Sequence, residues 1–181
     1  YPLKPGHLTA PPAVKAEELE RVAQVYGELP ENFTAHPKVL RQLQRRANAI
    51  RKGPVDWATA ELLAFGSLLQ ERRHVRLVGQ DTRRGTFSQR FGAVVDRVTN
   101  EAWVPLKHLS ASQAPFDIYD SNLTEYGAMG FEYGYSAAAP DALVLWEAQY
   151  GDFAIGAQTF ADEFITSGFA HWYQRSGVVL L

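Results

Sequence analysis

From Ser121 to Phe153 the chain reads S-N-L-T-E-Y-G-A-M-G-F-E-Y-G-Y-S-A-A-A-P-D-A-L-V-L-W-E-A-Q-Y-G-D-F, which sets the carboxylates Glu125, Glu132, Glu147 and Asp152 among aromatic rings. Acids and rings at this density rarely serve packing alone. Glu125 opens a helical pattern whose next turns are small, Gly127, Ala128 and Gly130, so that another backbone or a flat ligand can approach closely. An acid in a first helical turn has two roles open to it, partner of the helix macrodipole or proton-handling group. Phe153, taken as an isolated aromatic, reads as core.

Other chemistries find no support. No glycine-rich dinucleotide loop, Walker loop or G-x-S-x-G elbow occurs, and the five histidines are scattered without ligand spacing, so no metal site is expected. The absence of cysteine excludes disulfides, thiolate nucleophiles and cysteine-bound metals. With 18 basic and 20 acidic residues, the net charge of -2 gives no general attraction to nucleic acid or anionic membrane. The composition, 46% hydrophobic and 12% aromatic over 181 residues, fits one globular domain with a sizeable core. No apolar run reaches the roughly 18 residues of a membrane span and no signal-peptide core is visible, so a soluble intracellular protein is expected.

The elements that position these residues follow from periodicity and punctuation. Tyr1 to Ala13 carries four prolines and reads as an extended linker. Helices are expected from Val14 to Leu29 and from Pro37 to Ile50, the second with a basic face (Arg41, Arg45, Arg46, then Arg51 and Lys52) read as solvated. Asp56 caps a third helix running to Gln70, read as the best amphipathic segment of the chain. His74 to Val78 is a strand delivering Gln80 and Asp81 at its C-terminal tip, where open parallel sheets bind ligands. An arginine-rich connection, Asp81 to Ala114, holds a hairpin around Thr99 and Asn100. A strand at Pro115 to Tyr119 precedes the Glu125 helix, capped by Asp120, Ser121 or Thr124. Leu143 to Trp146 is a buried strand, Gly156 to Ile165 a helix, and Gly177 to Leu181 opens a last strand. Strands alternating with helices argue for an α/β fold, a parallel sheet flanked by helices.

Four stretches carry a resemblance: G-Q-D-T-R-R-G-T-F-S-Q-R at Gly79 to Arg90, the S-N-L-T-E-Y-G-A-M-G-F-E-Y-G-Y helix, L-W-E-A-Q-Y-G-D-F at Leu145 to Phe153, and the G-A-Q that follows. They closely resemble the thiamine diphosphate-dependent decarboxylating component of 2-oxoglutarate dehydrogenase, including its actinobacterial 2-oxoglutarate decarboxylase form. The likeness runs strongly over residues 56–181 and loosely over the helical connecting segment 14–55, where F-T-A-H-P-K also looks familial. It implies a pyrimidine-binding domain, incomplete at its C-terminus, with thiamine diphosphate as cofactor. By the same resemblance, the acid at Glu125 hydrogen-bonds the aminopyrimidine ring and is catalytic, Phe153 packs on that ring and Gln80 lies near it. Glu147 and Asp152 match the motif and orient the loop carrying Phe153.

The implied reaction is decarboxylation of 2-oxoglutarate with transfer of the succinyl group to lipoamide. The implied partners are a second copy of the full subunit, as a homodimer, and a dihydrolipoyl succinyltransferase with its lipoyl domain. The implied location is the cytoplasm, or the mitochondrial matrix in a eukaryote. The chain ends before the family's P-H-G loop and lacks the domain that binds diphosphate and Mg2+, so weak cofactor binding and inactivity are expected of it alone. Phe91, Ile155 and Phe169 stand where the family commonly has histidine, asparagine and glutamate, which keeps 2-oxoadipate open as substrate. A non-catalytic interaction module that pairs with a full-length subunit is the alternative from another class.

Overall fold

The computed structural model describes residues 13–181, so the expected proline-rich linker lies, but for its last residue, outside the described residues. Three helices come first: α1 (Ala16–Gly27), α2 (Pro37–Lys52) and α3 (Trp57–Gln70). Strand β1 (Val75–Gly79) follows, then a hairpin of β2 (Val94–Val95) and antiparallel β3 (Ala102–Trp103) and a 3-10 turn at Pro105–His108. The chain continues through β4 (Phe116–Asp120), α4 (Glu125–Ala138) and β5 (Leu143–Glu147). The last helical region runs through a π-helical turn at Phe153–Ala157, α5 (Gln158–Phe160), a second π-helical turn at Ala161–Thr166 and α6 (Gly168–Trp172), before β6 (Val179–Leu180).

The strands pair in the order β4-β1-β5-β6, all parallel, with Gly79 level with Asp120 on one side and Glu147 on the other. All four C-terminal tips therefore share one edge. Strands β1 and β5 are apolar and buried along most of their length, as a sheet covered on both faces requires. The main core joins the sheet to the first three helices: Val22, Tyr26 and Leu43 meet Leu62, Phe65 and Leu69 of α3 and Val75, Leu77, Phe116 and Leu145 of the strands. A smaller cluster, Ala128, Met129, Trp146 and Ala157, ties α4 to β5 and the segment after it.

Punctuation works as the side chains predict. The Asp56 carboxylate accepts the Thr59 backbone N–H at 2.7 Å and starts α3. Of the three caps open for α4, Thr124 is used, its hydroxyl accepting the Gly127 N–H at 3.2 Å.

Two expectations need correction. Helix α3 is less amphipathic than read: Ala58, Leu62, Phe65 and Leu69 are buried, whereas Trp57 is 90% exposed. It packs against α1 and the 3-10 turn as well as β1, so its apolar residues spread around its circumference rather than along one stripe. The helix expected from Gly156 begins at Phe153 and is wound largely as π turns. Such widened turns recur beside functional sites. Here the wide turns accompany a ring stack, Phe160 on Phe164 at 4.7 Å. Among the described residues no helix is long and apolar enough to cross a membrane.

Candidate functional site

In an open parallel sheet a ligand crevice forms where connections from adjacent strands leave in opposite directions. Strands β1 and β5 are such a pair, since β1 leads to β4 on one side and β5 to β6 on the other. Gly79 ends β1 there because no larger residue fits: a Cβ would lie 2.7 Å from the Glu147 carbonyl oxygen. Helix α4 joins β4 to β5 and sets Glu125 in its first turn beside this edge.

The stretch's carboxylates separate by partner, apart from Asp141, which is exposed in the turn before β5. Glu132 is buried and takes a bidentate pair from Arg76, at 2.7 and 2.9 Å, while Tyr119, Phe131 and Tyr135 surround that guanidinium. Glu147, at the tip of β5, accepts two bonds from Arg90 at 2.8 and 2.9 Å and one from the Thr82 hydroxyl at 2.8 Å. Asp152 is buried and accepts the Gln149 N–H at 2.7 Å, closing the turn that delivers Phe153. Among the described residues Glu125 has neither a cation nor a backbone donor, and unlike the exposed Asp141 it stands at the C-terminal edge of the sheet. It is half-buried, and its one partner among the described residues is the Gln80 side-chain amide, which donates to Oε1 at 3.1 Å.

Gln80 and Glu125 are thus brought together across 45 residues of sequence. Phe153 is half-buried, with its ring edge-on to Trp146 at 5.9 Å, and its segment reaches the same helix end, since a Cβ on Gly156 would lie 3.6 Å from that of Tyr126. Not every small residue of α4 serves ligand approach. Gly130 is covered by the Phe160 ring, so its lack of a side chain admits that ring instead. Phe91 packs against the main core with φ of 49°, whereas Ile155 and Phe169 lie on the surface.

What sequence reasoning missed is the support beneath the crevice. Arg90 is buried between Glu147 and Glu61, the latter accepting at 2.6 and 3.2 Å, and donates to the Thr82 carbonyl at 2.9 Å. Burial works against its charge, yet the bonds it donates to Glu61 and Glu147 outweigh burial and raise its pKa above the ordinary arginine value. Arg46, expected on a solvated face, is buried as well, donating to the Arg90 and Gln89 carbonyls at 2.7 and 2.6 Å. Only an S-Q-R motif hinted at Arg90, and nothing in the helical pattern set Arg46 apart. Among the described residues no group of three or more His, Cys, Asp or Glu forms a metal centre.

Comparison with known proteins agrees with this fold. The transketolase pyrimidine-binding-domain family matches residues 53–181. The multifunctional 2-oxoglutarate metabolism enzyme of Mycobacterium sp. (strain JLS) is 51% identical over 175 residues, which are 93% of this chain and 14% of that protein. The mitochondrial 2-oxoglutarate dehydrogenase of Schizosaccharomyces pombe is 49% identical over 171 residues, 94% of this chain and 17% of that protein. The chain therefore spans less than a fifth of the length of either relative.

Proposed function

The chain belongs to the transketolase pyrimidine-binding-domain family, and we propose that it supplies the aminopyrimidine-contacting part of a thiamine diphosphate site in a 2-oxoglutarate-decarboxylating enzyme. The observation that carries this proposal is the isolation of Glu125 at the C-terminal edge of the sheet: of the five carboxylates in its stretch, Glu132, Glu147 and Asp152 have charged or backbone partners and Asp141 is exposed in the turn before β5, whereas among the described residues the half-buried Glu125 meets only the Gln80 amide. The donor set fits an aminopyrimidine. Oε1 is held by Gln80, Oε2 has no partner among the described residues, and the half-buried Phe153 offers an aromatic surface to a flat ring. Bound, thiamine diphosphate would supply the electron sink for decarboxylation of a 2-oxo acid.

Glu125 then holds and shares a proton at Oε2, a task that needs a carboxylate because an amide in its place cannot accept and return one. Gln80 fixes the rotamer of Glu125 by donating to the other oxygen. Phe153 positions the ring, and the Asp152 turn and the Arg90–Glu147 pair hold the backbone on either side. A diphosphate and its Mg2+ would be bound by residues outside this chain, as would the reactive end of 2-oxoglutarate. The relatives' names support 2-oxoglutarate as the substrate, and on this reading the protein assembles as a homodimer that passes a succinyl group to a lipoyl-bearing succinyltransferase.

The test is release of carbon dioxide by the intact protein from 2-oxoglutarate, with 2-oxoadipate in parallel, in the presence and absence of thiamine diphosphate and Mg2+. Cofactor-dependent release, faster with 2-oxoglutarate, is expected. No release from either acid by a folded, cofactor-saturated protein overturns the proposal and favours a non-catalytic interaction module.

A further inference from the structure

A cleft of about 670 Å³ lies between α2 and the start of α3, and it contains none of Glu125, Gln80 or Phe153. One wall is a single face of α2, with Lys38, Arg41 and Arg45 at the three- and four-residue spacings that align side chains. The floor includes Arg46, whose guanidinium is fixed by the Thr59 hydroxyl at 3.3 Å and by the Gln89 and Arg90 carbonyls. Four cationic side chains thus line the cleft against a single carboxylate, Asp56, which is engaged in capping α3.

The charge on this wall is unanswered. Helix α2 contains no acidic residue, and like charges at these spacings repel and weaken a helix. Arg51 on the same helix finds Glu20 at 2.6 Å, but among the described residues Lys38, Arg41 and Arg45 form no ion pair. Arg41 spends only its Nε, on the Pro37 carbonyl at 3.3 Å. Arginine forks match the oxygens of phosphate in pairs, and several converging on one concavity suit a compact, multiply charged anion. The volume falls within the roughly 300–1,000 Å³ of small-molecule clefts, and a net charge of -2 disfavours extended contact with a nucleic acid backbone.

We propose that this cleft is a binding site for a small phosphorylated ligand carrying a di- or triphosphate group, separate from the Glu125 site and independent of what that site does. Its wall supplies the charge, and Arg46 places the ligand directly behind the backbone at Gln89 and Arg90.

The experiment is calorimetric titration of the intact protein with inorganic triphosphate at physiological ionic strength, repeated on Arg41→Glu and Arg45→Glu. Both residues are exposed, and their reversal relieves repulsion, so unliganded melting should be unchanged or slightly raised. Saturation at one equivalent is expected, with affinity falling about tenfold or more for each reversal. Three outcomes overturn the proposal: no saturable binding at millimolar triphosphate, affinity within about twofold after both reversals, or a single-stranded oligonucleotide that binds the same face more tightly than triphosphate.

Discussion

Arg90 is 2% exposed and spans three elements, reaching Glu61 on α3, Glu147 at the tip of β5 and the Thr82 carbonyl after β1. Replacing it with methionine keeps much of the volume but strands Glu147, itself only 9% exposed, beside a lost cation. Removing one partner of a buried pair costs about 3–5 kcal/mol, against about 0–1 kcal/mol for a pair in water. In a domain of this size each kcal/mol lowers Tm by roughly 2–4 °C, so Arg90→Met should melt about 6–20 °C lower. Urea unfolding followed by tryptophan fluorescence measures it, because the buried Trp146 directly precedes Glu147. Adding Glu147→Gln to Arg90→Met removes the stranded charge and should recover more than about 1 kcal/mol. A cost below about 1 kcal/mol for Arg90→Met, or no recovery in the double variant, would refute the claim that a buried ion pair supports the crevice.

Other positions make separate predictions. Gly134 faces open space, so Gly134→Ala should stabilise α4 by about 0.5–1 kcal/mol, whereas Gly130→Ala drives a methyl group into the Phe160 ring and should destabilise; melting curves of the two variants should move in opposite directions. Tyr26 is fully buried and its hydroxyl has no partner among the described residues, so Tyr26→Phe should be neutral or stabilising in urea unfolding. The Asp96 carboxylate accepts N–H groups from Thr34, Val98 and Thr99, which hold its pKa below the usual value. That contribution is present above the unfolded value of about 3.9 and is lost as pH falls through the lower folded value. Asp96→Asn should therefore be less stable than the parent at pH 7, with the gap closing as unfolding is measured at progressively more acid pH.

Local chemistry was legible wherever it acts over a few residues. Asp56 and its capped helix, the β-branched strand after His74 and the hairpin around Thr99 all declare themselves through propensity and punctuation. The stretch from Ser121 to Phe153 was legible as a candidate site but not in its internal division. Glu125, Glu132, Glu147 and Asp152 look alike in sequence, and what distinguishes them is the partner each meets: Arg76 lies 56 residues from Glu132, and Arg90 lies 57 from Glu147. The same distance hid Arg46, which reaches a carbonyl 44 residues away from a helix whose other arginines face solvent. Nor does a glycine announce its neighbour, and Gly130 proved to be the seat of Phe160 rather than an opening for a ligand.

Glu125→Gln in the intact protein, assayed for carbon dioxide release from 2-oxoglutarate with saturating thiamine diphosphate and Mg2+, is the decisive comparison. Glutamine preserves shape and can still bond to Gln80, but it cannot hold and return a proton. Turnover should fall by about 10²–10⁴-fold with the protein folded as before, the range expected for loss of a positioned acid–base group. Turnover within about twofold of the parent would contradict a proton-handling role and leave Glu125 as a partner of the helix macrodipole.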